Sequence, residues 1–363
     1  MNDETYIKLC IELAKRAYGY VSPNPLVGCV IVKNNKIIGA GFHQKYGDNH
    51  AEVNAINSAK ESLNNSTLYV NLEPCNHFGN TPPCTERIIR SGIKRVVVGT
   101  VDINPLVQGS GIKALKQSGI EVKVGVMENE CYQLNKFFFK FIQKKIPYLN
   151  IKIAQSLDGF IADKTYNSKW ISSVSSRKIV HSMRSQYDAV LIGVNTAIID
   201  NPQLNTRFIE GRNPLRIILD SNLKVEKSLK LITKNDDRKT IIFCSNEAIK
   251  TRKRKLEYLT SNGVDVIPVK KVEGKLDLKQ ILKILGKRNI TSVLVEGGAG
   301  IFSSFIEKKF WDEINIFIAP KIMGDGLSAF AGLKSKKIND LLQFKNLDVQ
   351  KIENDTHIII TKN

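Results

Sequence analysis

His50-Ala51-Glu52, then Pro74-Cys75, then Cys84 form the most chemically loaded pattern in this chain. One imidazole and two thiolates suit a tetrahedral Zn²⁺. Three protein ligands leave a fourth position open for water, the mark of a catalytic rather than a structural zinc. His50, Cys75 and Cys84 are therefore read as the ligands of one zinc per chain. Glu52 is left out of the ligand set and read as the proton carrier. His-x-Glu followed by Pro-Cys and a second Cys is the set that removes an amine from a nucleobase ring by hydrolysis.

The spacing is unusual for that chemistry. The common form is Pro-Cys-x-x-Cys, with both thiolates on one helical turn. Here eight residues separate Cys75 from Cys84, and Gly79, Pro82 and Pro83 make the insertion a loop. Cys84 then opens a helix expected over 85–91.

A second constellation lies in the other half. Val295-Glu296-Gly297-Gly298-Ala299-Gly300 joins a strand to a helix. Glycines there let backbone N–H groups approach phosphates, and a helix N-terminus favours anions. The pattern is not the G-x-G-x-x-G dinucleotide fingerprint. Lys152-Ile153-Ala154 leads into Ser156-Leu157-Asp158-Gly159, and Ser168-Lys169-Trp170 is followed by Arg184, Thr196, Asp200, Leu204 and Arg207. Arg184 and Arg207 are candidates to hold a phosphate bidentately, and Trp170 to stack on a ring.

These residues need positioning elements. Helical spacing is read over 5–18, with strands at 26–32, 37–42 and 67–72, the last delivering Cys75. A helix begins near His50, strands follow at 95–99 and 121–125, and 127–145 reads as one helix. Ile146-Pro147 breaks the pattern, which places a domain boundary between 1–146 and 147–363. Strand–helix alternation then restarts at 148–154 and runs to a strand at 292–295 and a helix at 300–308. The tail, 313–319 and 345–361, reads as antiparallel strands at one edge. The alternation predicts largely parallel sheets with helices on both faces.

Composition narrows the class. Length suits two domains, and 42 % hydrophobic with 25 % charged residues is ordinary for a globular chain. Six scattered cysteines do not make a disulfide framework, and their use as metal ligands points to a reducing cytoplasm. The N-terminus lacks the apolar core of a signal peptide, and no run of about 18 apolar residues predicts a membrane span. The net charge of +19 is spread as single lysines; the tight run Lys250-Thr251-Arg252-Lys253-Arg254-Lys255 has no aromatic interleaving. A solvated surface, with some attraction for a phosphorylated substrate, accounts for it better than nucleic-acid binding.

With both constellations read, the chain resembles the bifunctional riboflavin-biosynthesis deaminase–reductase family from about residue 5 to its end. The matching residues are Asn24-Pro25-x-Val27-Gly28, Gly41-x-His43, His50-Ala51-Glu52, Glu73-Pro74-Cys75-x-His77-x-Gly79 and Thr81-Pro82-Pro83-Cys84, then the second constellation with Asp188, Gly193 and Ala319-Pro320-Lys321. The resemblance implies an α/β chain with an N-terminal cytidine-deaminase-like three-layer domain and a C-terminal α/β domain similar to dihydrofolate reductase. It implies zinc deamination of 2,5-diamino-6-ribosylamino-4(3H)-pyrimidinone 5′-phosphate, then NADPH reduction of the ribosylaminouracil to the ribityl product. By carry-over Asn24, His43 and His77 line the pyrimidine pocket. Ala154, Trp170, Thr196, Asp200, Ser221 and the run Gly298, Ala299, Gly300, Ile301, Phe302, Ser303 and Ser304 face NADPH. Ser168, Arg184, Leu204, Arg207 and Glu296 face the phosphorylated substrate, with Lys152 and Asp200 as catalytic groups near the ribose carbon. Partners are then small phosphorylated pyrimidines and further copies of the chain, not nucleic acid or membrane. Two residues depart from the family: Asn80, where Lys or Arg is common, and Tyr166, where Gly is usual. The competing reading is a tRNA-type nucleic-acid deaminase with an accessory domain; it leaves the 217 residues from Pro147 onward unexplained.

Overall fold

The computed structural model describes residues 2–78, 82–333 and 337–362, and the chain forms two compact units, Met1–Lys145 and Ile146–Asn363. Among the described residues no helix is long and apolar enough to cross a membrane.

The first unit contains α1 (Asp3–Lys15), β1 (Gly28–Lys33), β2 (Lys36–Phe42), α2 (Ala51–Ser58), β3 (Thr67–Leu72) and α3 (Cys84–Arg90). It continues through β4 (Arg95–Thr100), α4 (Ser110–Gln117), β5 (Glu121–Val124), α5 (Glu128–Leu134) and α6 (Lys136–Lys144). Its sheet runs β2-β1-β3-β4-β5. Alternate strand residues go to opposite faces, as the period of two requires. Val30, Val32, Tyr69 and Val97 pack with α1, whereas Cys29, Ile31, Leu68, Val70, Val96 and Val98 pack with Ala51, Ala55, Ile88 and Leu115 of α2, α3 and α4. The result is three layers. The expectation of a largely parallel sheet is corrected here. β1 pairs antiparallel with both β2 and β3, and only β3-β4-β5 is parallel. The cause is local: Asn34 and Asn35 both take positive φ and turn the chain straight back as a hairpin.

The single helix expected over 127–145 is two. Asn135 interrupts it because its amide is used elsewhere: Oδ1 accepts the Leu26 N–H (2.7 Å) and Nδ2 donates to the Leu26 carbonyl (3.0 Å). Asn71 does the same for the next turn of chain, accepting from Gly28 N–H and donating to Leu26 O. The two asparagines pin the segment that carries Asn24 and Val27. At Gly41 an added Cβ would lie 2.5 Å from the Ala55 backbone nitrogen, so glycine lets α2 lie directly on β2.

The second unit contains β6 (Tyr148–Ser156), β7 (Phe160–Ala162), α7 (Val174–Gln186), β8 (Ala189–Gly193), α8 (Val194–Asp200), β9 (Leu215–Leu219), α9 (Lys230–Thr233), β10 (Thr240–Ser245), α10 (Asn246–Thr251), α11 (Lys253–Ser261) and β11 (Asp265–Val269). After the short β12 (Lys271–Val272) and β13 (Lys275–Leu276) come α12 (Leu278–Lys287), β14 (Ser292–Val295), α13 (Ala299–Glu307), β15 (Glu313–Ala319), β16 (Leu327–Ser328), β17 (Asn346–Ile352) and β18 (Asp355–Thr361). The large sheet runs β11-β10-β9-β8-β14-β6-β15-β18-β17. It is parallel from β11 to β15 and antiparallel at the β18-β17 edge. Leu149, Ile151 and Ile153 of β6 pack against Phe302, Phe305 and Ile306 of α13 and the apolar stripe of α12. The opposite face is unexpectedly polar. Asn150 donates to the Tyr187 hydroxyl and to Glu313, Asn315 donates to Asn150 and Glu313, and Asn315 Oδ1 lies 2.7 Å from His357 Nε2. The C-terminal ends of β9, β8, β14 and β6 share one edge, where loops of a parallel sheet gather ligand groups.

Candidate active sites

In the first unit β3 ends just before Glu73-Pro74-Cys75, α2 begins just after His50, and Cys84 is the first residue of α3. Three element ends therefore meet. His50 Nδ1 lies 3.3 Å from Cys84 Sγ and 3.5 Å from Cys75 Sγ. The edges of a tetrahedron built on Zn–S and Zn–N bonds are roughly 3.5–3.8 Å. The three ligand atoms all lie within 4.8 Å of one another, and theirs is the one such group among the described residues.

Electrostatics gives an independent test of fit. Hydrogen bonds from the Cys84 thiol, His50 and the Cys84 backbone N–H draw Cys75 down to about 4, against the opposing effect of burial. The same pairing and burial push Cys84 well above the usual thiol range. Two thiolates side by side in a buried site need a cation, and a divalent ion resolves the conflict by holding both deprotonated.

Glu52, on the first turn of α2, is 3 % exposed. Burial, then the charge of Cys75, pushes its carboxyl up to about 7, where it can both take and give a proton. His50, Cys75 and Glu52 open onto a cavity of about 310 Å³ that Asn24, His43 and His77 also line. Asn24 Nδ2 donates to His43 Nε2 (3.1 Å), which assigns the ring proton to Nδ1, facing the Asn49 carbonyl at 3.1 Å. Burial holds His43 below the usual imidazole range, in its neutral form. His77 Nδ1 is buried without a partner among the described residues. Gly79, Asn80 and Thr81 lie outside the described residues.

Sequence reasoning assigned no role to Glu73, Asp102 or Asn104. Glu73 is 4 % exposed. Its carboxylate accepts the N–H groups of Asp102, Gly109, Gly111 and Ile112, tying the loop after β4 and the start of α4 to the cysteine loop. That loop brings Asp102 and Asn104 to the cavity wall. Burial raises Asp102 to about 6. The available signal was a polar pair in Asp102-Ile103-Asn104-Pro105, just past the end of a parallel strand.

In the second unit Lys152 and Ala154 lie on β6, Thr196 and Asp200 on α8, Ser221 in the turn after β9, and Glu296 just past β14. Glu296 is fully engaged. Arg184 clasps it through Nε (2.6 Å) and Nη2 (2.8 Å), and Lys152 Nζ lies 3.1 Å from Oε2. Those cations hold the Glu296 carboxyl far below its usual range despite burial. Arg184 Nη1 donates to the Asn205 carbonyl at 3.2 Å. The bidentate fork expected to face a phosphate is thus turned onto Glu296 instead.

Asp200 accepts the Ser168 hydroxyl at 3.3 Å, and burial raises its carboxyl. The turn that follows is closed by Asn201, at positive φ, whose Oδ1 accepts the Lys230 N–H. Leu204 is buried with φ of 52°, Arg207 is exposed, and Trp170 is exposed with the Arg177 guanidinium 4.5 Å from its ring centre. At the start of α13, an added Cβ on Gly297 would sit 2.6 Å from Ile301 Cβ, and one on Gly298 3.3 Å from Thr196 Oγ1. Gly297 is thereby explained by the packing of Ile301 beneath it. Gly300 has open space around it. Within the run 298–304, the Phe302 side chain packs in the core and Ser303 Oγ donates to Ala299 O. The Ala299 and Gly300 N–H groups lie in the first turn, where no intrahelical acceptor exists.

Fold and geometry define a class: a zinc deaminase unit joined to a parallel-sheet reductase unit. The comparisons with known proteins are consistent with it. The family model described as cytidine and deoxycytidylate deaminase zinc-binding region matches residues 1–100, and that of the RibD C-terminal domain matches 147–358. The riboflavin biosynthesis protein RibD of Aquifex aeolicus is 46 % identical over 361 residues, covering 99 % of this chain and 98 % of that protein. RibD of Escherichia coli strain K12 is 36 % identical, covering 98 % of each. A crystal structure from Thermotoga maritima, described as a diaminohydroxyphosphoribosylaminopyrimidine deaminase/5-amino-6-(5-phosphoribosylamino)uracil reductase, matches with a TM-score of 0.88 and 41 % identity, covering 99 % of this chain and 98 % of that one. The chain belongs to the RibD family of bifunctional riboflavin-biosynthesis enzymes, with a zinc-dependent deaminase and an NADPH-dependent reductase.

Proposed function

We propose that residues 1–146 deaminate 2,5-diamino-6-ribosylamino-4(3H)-pyrimidinone 5′-phosphate and that residues 147–363 reduce the resulting 5-amino-6-(5-phosphoribosylamino)uracil at its ribose carbon. The observation that carries the first assignment is the His50–Cys75–Cys84 triangle beside buried Glu52, with His50, Cys75 and Glu52 lining one cavity. Zinc, held by those three residues, supplies Lewis acidity that makes water nucleophilic near neutral pH. Glu52 takes the proton of the attacking water and delivers it to the departing amine. Neutral His43 and Asn24 form a fixed hydrogen-bonding wall, and Asp102 and Asn104 offer acceptors to the amino groups of the ring. Hydrogen-bonding walls of this kind discriminate strongly against substrates lacking the partner group.

NADPH, when bound, supplies a hydride. The N–H groups of Ala299 and Gly300 and the open approach at Gly300 suit its diphosphate, with Thr196 beside Gly298. Lys152, paired with Glu296, and Asp200, whose carboxyl burial raises, are the groups able to move protons as the ribose ring opens. Substrates are small phosphorylated pyrimidines rather than nucleic acid, and the enzyme works in the cytoplasm. It self-associates: edge strand β17 exposes Leu347 and Val349, and the segment before it exposes Ile338, Leu341 and Leu342, apolar surface that another copy would cover. The decisive assay follows NADPH oxidation by the full chain. Oxidation that depends on the diaminopyrimidine phosphate is expected, and on the deaminated compound directly when zinc is chelated. Oxidation without any pyrimidine, or deamination of a tRNA fragment instead, overturns the assignment.

A further inference from the structure

Among the described residues that line the cavity of the first unit, the exposed ones are Tyr46, Gly47 and Asp48, consecutive on the loop between His43 and His50. The ends of that loop are fixed. Asn54 Nδ2 donates to the Phe42 carbonyl (2.9 Å) and to the Asn49 carbonyl (3.3 Å). The His43 N–H donates to the Val27 carbonyl, and His50 belongs to the ligand triangle. The tip is placed as well: Tyr46 N–H donates to the Tyr20 carbonyl (3.2 Å) and Asp48 N–H to the Lys45 carbonyl (3.1 Å), with Gly47 at φ of 91°. Charge on this wall is negative. Asp48, Glu52, Glu73 and Asp102 line the cavity, and its described lining residues include no lysine or arginine. Gly79, Asn80 and Thr81 add none by sequence. A phosphate dianion thus has no cation to meet inside the cavity. In the rim loop the one lysine or arginine is Lys45, which is exposed and whose ammonium has no partner among the described residues.

We propose that this rim loop selects the phosphoribosyl arm of the deaminase substrate, with Tyr46 lying along the ribose as a specificity-determining residue and Lys45 meeting the 5′-phosphate at the mouth. This deepens the reading of the first unit as a phosphoribosylpyrimidine deaminase and rests on it. The amine-bearing end of the ring has to reach Glu52 and the ligand triangle. The arm therefore leaves by the exposed side, across Tyr46, Gly47 and Asp48. Tyr46 lines the cavity and is 49 % exposed, and it is the aromatic residue of that rim. A flat apolar ring with a hydroxyl at its tip suits a ribose, which offers C–H faces and O–H edges. Asp48 opposes a phosphate that arrives without a cation, so Lys45 decides whether the dianion is accepted. The fixed base spares the loop much of the ordering cost of closing on its ligand.

The test uses the zinc-loaded full-length chain and the diaminopyrimidine ribosylamine with and without its 5′-phosphate, the deaminated product being measured directly. K45A is expected to raise KM for the phosphorylated compound about three- to tenfold and to leave KM for the dephosphorylated one within about twofold. K45E, which reverses the charge, raises the first further. Y46A is expected to raise KM for both compounds on the order of tenfold, with kcat within about threefold of wild type. Y46F, which keeps the ring and loses the hydroxyl, falls between wild type and Y46A. Zinc content, measured on the same samples, stays at the wild-type level in all four variants. Unchanged KM in Y46A overturns the proposal. So does a K45A variant whose KM is unchanged, or shifts equally for the two compounds. Loss of zinc from Y46A means the loop only steadies His50, and overturns it as well. A wild-type chain that deaminates neither compound refutes the reading of the unit itself, a different outcome from all of these.

Discussion

Glu52 shows how much a single buried carboxyl can be asked to do. It sits at the first turn of α2, two residues past a metal ligand, and takes no part in the ligand triangle. Glu52→Gln keeps the shape and removes the proton carrier, so deamination should fall by about 10²–10⁴-fold. Zinc, measured by mass spectrometry, should stay near one per chain; its loss from this variant would make Glu52 a ligand instead. Tyr166, one of the two departures from the family, has a clear conformational account. It takes φ of 63°, the left-handed region a glycine occupies freely and a bulky side chain only with strain. Tyr166→Gly should raise stability by about 0.5–1 kcal/mol, relief of the strain being partly offset by glycine's chain entropy. A lower melting temperature would show that the ring makes contacts worth more than the strain. His181 carries a titration. Burial, then Arg184 and Arg207, lowers it to about 4. The unfolded chain, with an imidazole near 6.5, takes up the proton first, so stability is full above that pH and falls as pH drops toward about 4. His181→Gln should flatten the acid-side slope of melting temperature between pH 7 and 4.5; an unchanged slope would place the titration elsewhere.

At the scale of elements, the deaminase site is an assembly of ends: the C-terminal end of β3, the N-terminal ends of α2 and α3, and the loop after β4. Glu73 joins the last of these to the first with four accepted N–H bonds. Glu73→Ala leaves four donors unmatched, two buried and two half-buried, and should cost about 2–4 kcal/mol. Deamination should fall more than zinc content, because Asp102 and Asn104 ride on the released loop whereas the ligands do not. Thermal unfolding and metal analysis on the same sample separate the two effects. The reductase site is likewise built at the ends of β6, β8, β9 and β14 and at the start of α13. There the glycines serve two purposes: Gly193 and Gly297 make room for Ile301, and Gly300 leaves the first turn open.

At the scale of the molecule, each unit contains the whole of one constellation. His50, Glu52, Cys75 and Cys84 lie in the first, and Lys152, Arg184, Asp200 and Glu296 in the second. Each also has its own apolar core. A fragment ending at Lys145 should therefore bind one zinc and deaminate, and a fragment from Ile146 should oxidise NADPH with the deaminated substrate. Aggregation of both fragments under conditions where the full chain is soluble would show that neither core suffices alone.

What was legible beforehand was whatever residue type and short spacing can state. His-x-Glu, Pro-Cys and a cysteine at a helix start announce a metal and a proton carrier because ligand chemistry belongs to the side chain itself. The strand–helix alternation and the antiparallel tail were legible because periodicity is local. Tertiary structure decided the rest, since those roles are set by partners far along the chain. Asn135 breaks a helix to hold Leu26, 109 residues away, and Arg184 turns to Glu296, 112 residues away. Polar residues inside β6 and β15 look like misfits in sequence and are satisfied by one another, by the Tyr187 hydroxyl and by His357. A buried hydrogen bond or ion pair is a property of two positions brought together. No pattern confined to either position can specify it.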